Sequence, residues 1–311
     1  MHATTGRWQL GLALALTTAL FWGLLPIALK LTLAGMDAWT LTWYRFATAA
    51  IALGAFLAWR GRLPRRSALG RRGWWLYGVA LVCLVANYVG YLVSLELTSP
   101  AVAQVLIQIA PLFLLFGGVL VFHERFAPLQ WAGFAVLATG LAVFFHDRLA
   151  EVFSLGTPLG LGVVVMLVAA AAWAVYALVQ KQLLTRLASG QVLLLLYSGA
   201  VPLLLPPADL AQVLSLDRLQ FGMLAFCCAN TVIAYGCFAE SLEHWDVSRV
   251  SAVLTLAPIF TLLGIQGAAW LWPAAAPAEA LSPWNVLGAA LVVTGSMTTA
   301  LAARSTPSAA V

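Results

Sequence analysis

Long apolar stretches, broken by short polar or Pro/Gly-rich segments, run the length of the chain at residues 10–30, 38–59, 74–95, 100–121, 129–145, 160–180, 190–206, 219–240, 249–272 and 284–303. Each approaches the roughly 20 residues that a helix rising 1.5 Å per residue needs to cross about 30 Å of hydrocarbon. Runs such as Leu193–Leu196 and Ala169–Ala172 show none of the polar alternation of a membrane β-strand. The pattern therefore predicts an all-α polytopic membrane protein with ten transmembrane helices.

A second pattern lies over the first. Phe21-Trp22-Gly23 and Lys30 recur 151 positions later as Ala172-Trp173-Ala174 and Lys181, and Asn87 recurs as Asn230. Glu96 matches Glu243, and Ala110-Pro111-Leu112-Phe113 matches Ala257-Pro258-Ile259-Phe260, both at an offset of 147. Glu124, Pro128, Gly133 and Thr139-Gly140 match Glu279, Pro283, Gly288 and Thr294-Gly295 at 155. Five helices per copy is an odd number, so the second copy must enter the membrane from the opposite side. Such inverted-topology repeats enclose a midplane site in many secondary transporters.

Composition agrees: 63% of the residues are hydrophobic, 9% are charged, and the mean hydropathy is +0.95. A soluble domain is excluded, and sixteen basic residues spread over 311 make no nucleic-acid footprint. The basic residues set an orientation instead. Arg60, Arg62, Arg65, Arg66, Arg71 and Arg72 crowd one short loop, and with it in the cytoplasm twelve of the sixteen fall inside and both termini are cytoplasmic. The expected organisation is a tail at 1–9, a first repeat at 10–146, an outer connection at 147–159, a second repeat at 160–303 and a tail at 304–311. Arg7 before the first span resembles a leader, but that span is long and no small-residue cleavage site follows, so it is read as a retained helix. Cys83, Cys227, Cys228 and Cys237 lie in apolar stretches without disulfide or metal spacing.

Several local motifs accompany the repeat: Trp22-Gly23, Tyr44-Arg45-Phe46, Thr98-Ser99-Pro100-Ala101 followed by Ala110-Pro111-Leu112, and Glu124-Arg125 leading to Gly133 and Gly140. Together they resemble the drug/metabolite transporter superfamily, in its EamA-type ten-helix branch, over residues 10–303. The resemblance implies a central substrate cavity and small-molecule efflux across the inner membrane. Within the branch the chain resembles amino-acid and metabolite exporters, including exporters of aromatic amino acids.

The candidate substrate-binding residues follow from polarity on apolar walls. Arg45 is the ionisable residue well inside a predicted span, where it could clamp a carboxylate or, alternatively, snorkel or pair with Glu96. Asn87, Tyr88 and Tyr91 share a face of the third helix, and Gln104 and Gln108 form a stripe on the fourth. Asn230 is the repeat mate of Asn87. These polar groups either line the path or bond helices together. Trp22 and Trp173 sit near mid-helix, and Tyr176 and Gln180 extend the second one's face. Trp8, Trp39, Trp74, Trp75, Trp131, Trp270, Trp272 and Trp284 near helix ends read as interfacial belts. Pro26, Pro111 and Pro258 interrupt helices and are candidate hinges, or static kinks.

No phosphate-binding loop is present, so transport within this chain is expected to be passive or coupled rather than ATP-driven. His2, His123, His146 and His244 fall in tails or loops, leaving Glu96 and Glu240 as the nearest coupling groups and favouring facilitated diffusion or exchange. Export of drugs or other small metabolites is the alternative within this class; from other classes, a receptor without transport would bind without flux, and a membrane-embedded enzyme would need a cluster such as Glu240–Asp246, which suits a solvated turn better. No cofactor and no metal are expected. The partners expected are a small-molecule substrate and the lipid bilayer, with the chain a monomer.

Overall fold

The computed structural model describes residues 7–64, 69–113, 116, 117, 127–245, 247–275, 279 and 281–302. The Glu124-Arg125 turn, His2, His123 and Asp246 lie outside them. The described residues are helical, with no strand among them. In chain order they form α1 (Trp8–Leu33), α2 (Ala38–Trp59), α3 (Gly70–Leu97), α4 (Pro100–Leu106, continued by a 3-10 turn at Ile107–Ile109) and α5 (Pro128–Phe144). There follow α6 (Pro158–Leu183), α7 (Ser189–Leu204), α8 (Arg218–His244), α9 in two pieces (Val247–Leu254 and Ala257–Leu271) and α10 (Pro283–Ala302). Seven of these are long and apolar enough to cross a membrane, and α4, α5 and α7 are shorter apolar helices. The predicted 249–272 helix breaks at Thr255-Leu256 ahead of Pro258, and the predicted 100–121 helix is interrupted by its 3-10 turn ahead of Pro111.

Local chemistry sets several starts. Asp37 caps α2, accepting from the amides of Trp39 and Thr40 and from the Thr40 hydroxyl. Burial alone would raise the Asp37 carboxyl, but these bonds outweigh it and hold the group below its usual range. Ser99 and Thr157 cap α4 and α6, each followed by the proline that fits a first helical turn.

Each helix packs most extensively on a helix of the other half: α1 on α8, α2 on α7, α3 on α6, α4 on α9 and α5 on α10. The α5–α10 crossing shows how the repeat is used. A Cβ on Gly140 would lie 2.6 Å from the Val292 nitrogen and 2.8 Å from the Gly288 oxygen, and one on Gly295 would lie 2.6 Å from the Gly133 oxygen. Thus Gly133 faces Gly295 while Gly140 faces Gly288. Numbers rise along one helix as they fall along the other, so the two repeat mates cross antiparallel with their backbones in contact. Small residues permit this approach where lipid offers no hydrophobic drive for association. Trp8, Trp39, Trp74, Trp75, Trp131, Trp270 and Trp284 are exposed on the outer surface, whereas Trp272 is half-buried.

Candidate functional site

Arg45 lies seven residues into α2, and its side chain points into the bundle at 3% exposure. Its Nε donates to the Thr231 hydroxyl of α8 at 3.1 Å, and its guanidinium lies over the Tyr88 ring, 4.9 Å from the centroid. Thr231 in turn donates to the Cys227 carbonyl, which fixes its oxygen as the acceptor. Among the described residues Arg45 forms no ion pair. It neither snorkels nor pairs with Glu96. A desolvated cation without a counter-ion is costly, and the π face and one hydroxyl offset only part of that cost.

Aromatic residues close around it. The Tyr88 hydroxyl donates to that of Tyr235 on α8 at 2.9 Å. Phe46 packs on both Tyr88 and Tyr197. The buried Tyr197 hydroxyl lies beside Tyr88 without a hydrogen bond of good geometry. Trp22 touches Tyr235 edge-on at 5.5 Å and Phe238 at 5.8 Å. Tyr91 donates to the Gln104 side-chain oxygen at 3.2 Å, joining α3 to α4. Tyr176 is buried, with Gln180 beside its hydroxyl one turn further along α6. Trp173 is half-buried against the core.

Asn87 and Asn230 are used between helices. Asn87 donates to the Ala169 carbonyl of α6 at 2.9 Å, and Asn230 donates to the Phe21 carbonyl of α1 at 2.6 Å. Repeat mates thus make equivalent bonds in the two halves. Pro26 is buried within an unbroken α1, whereas Pro111 and Pro258 each follow an interruption of their helix. The two interruptions meet, because the Gln108 amide donates to the Thr255 carbonyl at 3.4 Å.

Two clefts flank this core. One, of about 250 Å³, is lined by Arg72, Leu76, Gln182, Thr185 and Arg186; the other, of about 380 Å³, by Leu33, Gly35, Met36, Asp37, Glu96 and Gln212. Leu76 and Glu96 both belong to α3, twenty residues or about 30 Å apart, with Tyr88 between them. The clefts are therefore a bilayer's thickness apart on opposite ends of the bundle. At the second end Lys30 donates to the Leu95, Glu96 and Thr98 carbonyls at 2.7, 3.0 and 2.8 Å, closing the C-terminus of α3. The carboxylate of Glu279 receives the Ser99 hydroxyl at the start of α4.

Burial pushes the Glu279 carboxyl above the usual carboxylate range, against the opposing pull of Ser99, Lys30 and Arg148. The folded state then holds this proton more tightly than the unfolded chain does. The resulting stability is present in acid and lost as pH rises through the raised value. Glu279→Gln is expected to melt higher than the parent at pH 8, with the difference shrinking towards pH 4. Thermal unfolding in detergent across that range checks it.

Sequence reasoning missed Tyr235, Tyr197 and Thr231. Tyr235 stands 147 positions after Tyr88, the offset already carried by the Ala-Pro motifs, so the signal was present. Among the described residues no group of three or more His, Cys, Asp and Glu gathers as a metal site. Glu240 and His244 form a local pair one turn apart on α8 at 3.3 Å.

The model of the EamA-like transporter family matches residues 9–146 and again 160–301. An uncharacterized transporter of Haemophilus influenzae is 38% identical over 297 residues, covering 94% of this chain and 95% of its own. The uncharacterized inner membrane transporter YhbE of Escherichia coli K12 is 38% identical, covering 95% and 92%. A probable amino-acid metabolite efflux pump of E. coli K12 is 26% identical, covering 91% and 92%. A solved crystal structure, 19% identical, superposes with a TM-score of 0.64 over 96% of this chain and 99% of that one, which supports the fold alone.

Proposed function

Since this chain belongs to the EamA-like transporter family, its activity is movement of a solute across a membrane, and we propose that the solute is a small carboxylate-bearing metabolite, with amino acids the first candidates, exported by alternating access. The carrying observation is Arg45, a buried guanidinium between the levels of two clefts with no acidic partner among the described residues. A solute carboxylate supplies the missing charge through a bidentate pair. The aromatic shell of Trp22, Tyr88, Tyr91, Tyr176 and Tyr235 supplies an apolar wall for the rest of the molecule. The meeting of the interrupted helices at Gln108 and Thr255, next to Pro111 and Pro258, offers a flexible point between the two clefts. The efflux pump among the relatives and the transporter named for the inner membrane support export from that membrane. The arginine-rich loop supports cytoplasmic termini. The Glu240–His244 pair is a helix-turn contact rather than a catalytic constellation, which favours a carrier over a lipid enzyme.

Proteoliposomes of the purified chain, loaded with unlabelled amino acid and given a labelled panel outside, test this reading. Saturable counterflow is expected, with little change when a proton gradient is imposed. Absence of counterflow for every carboxylate tried rejects it.

A further inference from the structure

Among carboxylate-bearing metabolites, the charge inventory of the core points past the zwitterionic amino acids to a narrower solute. We propose that the site is matched to a monoanion: a molecule with one carboxylate, an apolar or aromatic body and no free ammonium, such as a deaminated or N-acylated amino acid. This rests on the preceding reading of Arg45 as the carboxylate clamp.

Every group found around the guanidinium is neutral. It meets the Thr231 hydroxyl and the Tyr88 ring directly, and the phenols of Tyr91, Tyr197 and Tyr235 and the thiols of Cys227 and Cys228 complete its surroundings. The acids nearest along the packed helices already have partners of their own. Glu96 on α3 lies near Lys30, and Glu240 on α8 bonds His244. Among the described residues Arg45 is also the one Lys or Arg more than a turn from the end of its helix. The empty core therefore holds one positive charge, and a monoanion brings it to zero. A zwitterion leaves it at one and a dianion reverses it, and both retain an uncompensated charge out of water.

The hydrogen-bonding groups favour the same solute. An ammonium needs acceptors for three donors. Three oxygens here already accept: that of Tyr235 from Tyr88, that of Gln104 from Tyr91 and that of Thr231 from Arg45. The Tyr197 hydroxyl, buried and without a well-formed bond, is a donor for a carboxylate oxygen that Arg45 leaves free. The core thus offers donors to an anion and no carboxylate to an amine.

Binding to the purified full-length chain tests the proposal through matched sets with one body and different charge: phenylalanine, 3-phenylpropionate, N-acetylphenylalanine, phenethylamine and phenylsuccinate, with leucine and 4-methylpentanoate as an aliphatic pair. The two kinds of monoanion are expected to bind about tenfold or more tightly than the parent zwitterions, with the amine and the dianion weaker still. Arg45→Gln should erase this ranking. Arg45→Lys, which keeps the charge without the fork, should preserve the ranking at lower affinity, guarding against a folding defect in the first variant. An amino acid binding as tightly as its deaminated counterpart overturns the monoanion proposal and leaves the carboxylate clamp standing. Carboxylates of every kind failing to bind, or binding Arg45→Gln equally well, overturns the clamp itself.

Discussion

Arg45→Met is expected to abolish saturable carboxylate flux while leaving the protein at least as stable as its parent. The two halves of that expectation have different causes. A bidentate contact between a guanidinium and a carboxylate out of water contributes about 2–3 kcal/mol, so its loss weakens binding roughly 30- to 150-fold. In the unliganded protein, however, Arg45 is a desolvated charge held by one hydroxyl and one ring. Replacing it with an apolar chain of similar length removes that burden, and methionine sulfur packs well against Tyr88. Thr231 keeps its bond to the Cys227 carbonyl. Counterflow and thermal unfolding on the same preparation separate the outcomes: lost flux with an unchanged or raised melting temperature supports a binding role. Unaltered flux removes Arg45 from the binding site, and loss of both flux and fold assigns it to architecture.

The second large effect is structural. Gly140→Leu should prevent recovery of a monodisperse protein, because even the first added carbon meets the backbone of α10 at Gly288 and Val292. No rotamer escapes a clash with main chain, and the two helices must separate. Overpacking of this kind costs at least about 3 kcal/mol. Gly236→Ala is the matched control, since nothing lies within 4 Å of a Cβ there. Its better helix propensity is expected to leave stability unchanged or raise it by up to about 1 kcal/mol. Size-exclusion profiles and melting curves of the two variants check both signs. A well-behaved Gly140→Leu protein contradicts the close α5–α10 crossing.

The helices and their inverted arrangement were legible because span length and repeat spacing are properties of the chain alone. Arg45 was legible for the same reason: a charge seven residues into an apolar run announces itself. Which polar groups meet was not legible. Asn87 and Asn230 look the same as Gln104 in sequence, yet the two asparagines bond backbone carbonyls of the opposite half while Gln104 takes a tyrosine hydroxyl. Tyr235 escaped for a geometric reason. Tyr88 follows Asn87 by one residue, but Tyr235 follows Asn230 by five. Four extra residues make about 400° of helix, little more than a full turn, so the two tyrosines still occupy comparable faces. Reading from the asparagine pair, at an offset of 143, hides an equivalence that the 147 offset of the Ala-Pro motifs preserves. The break in α9 was obscured because hydropathy continues unchanged through Thr255 and Leu256, while Pro258 removes the backbone donor that would have bridged them.

The exchange of partners between halves also bears on how the chain is made. When the ribosome has delivered α1 to α5, the surfaces meant for α8, α7, α6, α9 and α10 have nothing to pack on. α3 can pair once α6 ends at Leu183, α2 once α7 ends at Leu204, and α1 once α8 ends at His244. Assembly is therefore stepwise, each helix of the second half completing one pair as it arrives. α5, laid down near the middle of translation, acquires its main contact only when the last helix arrives.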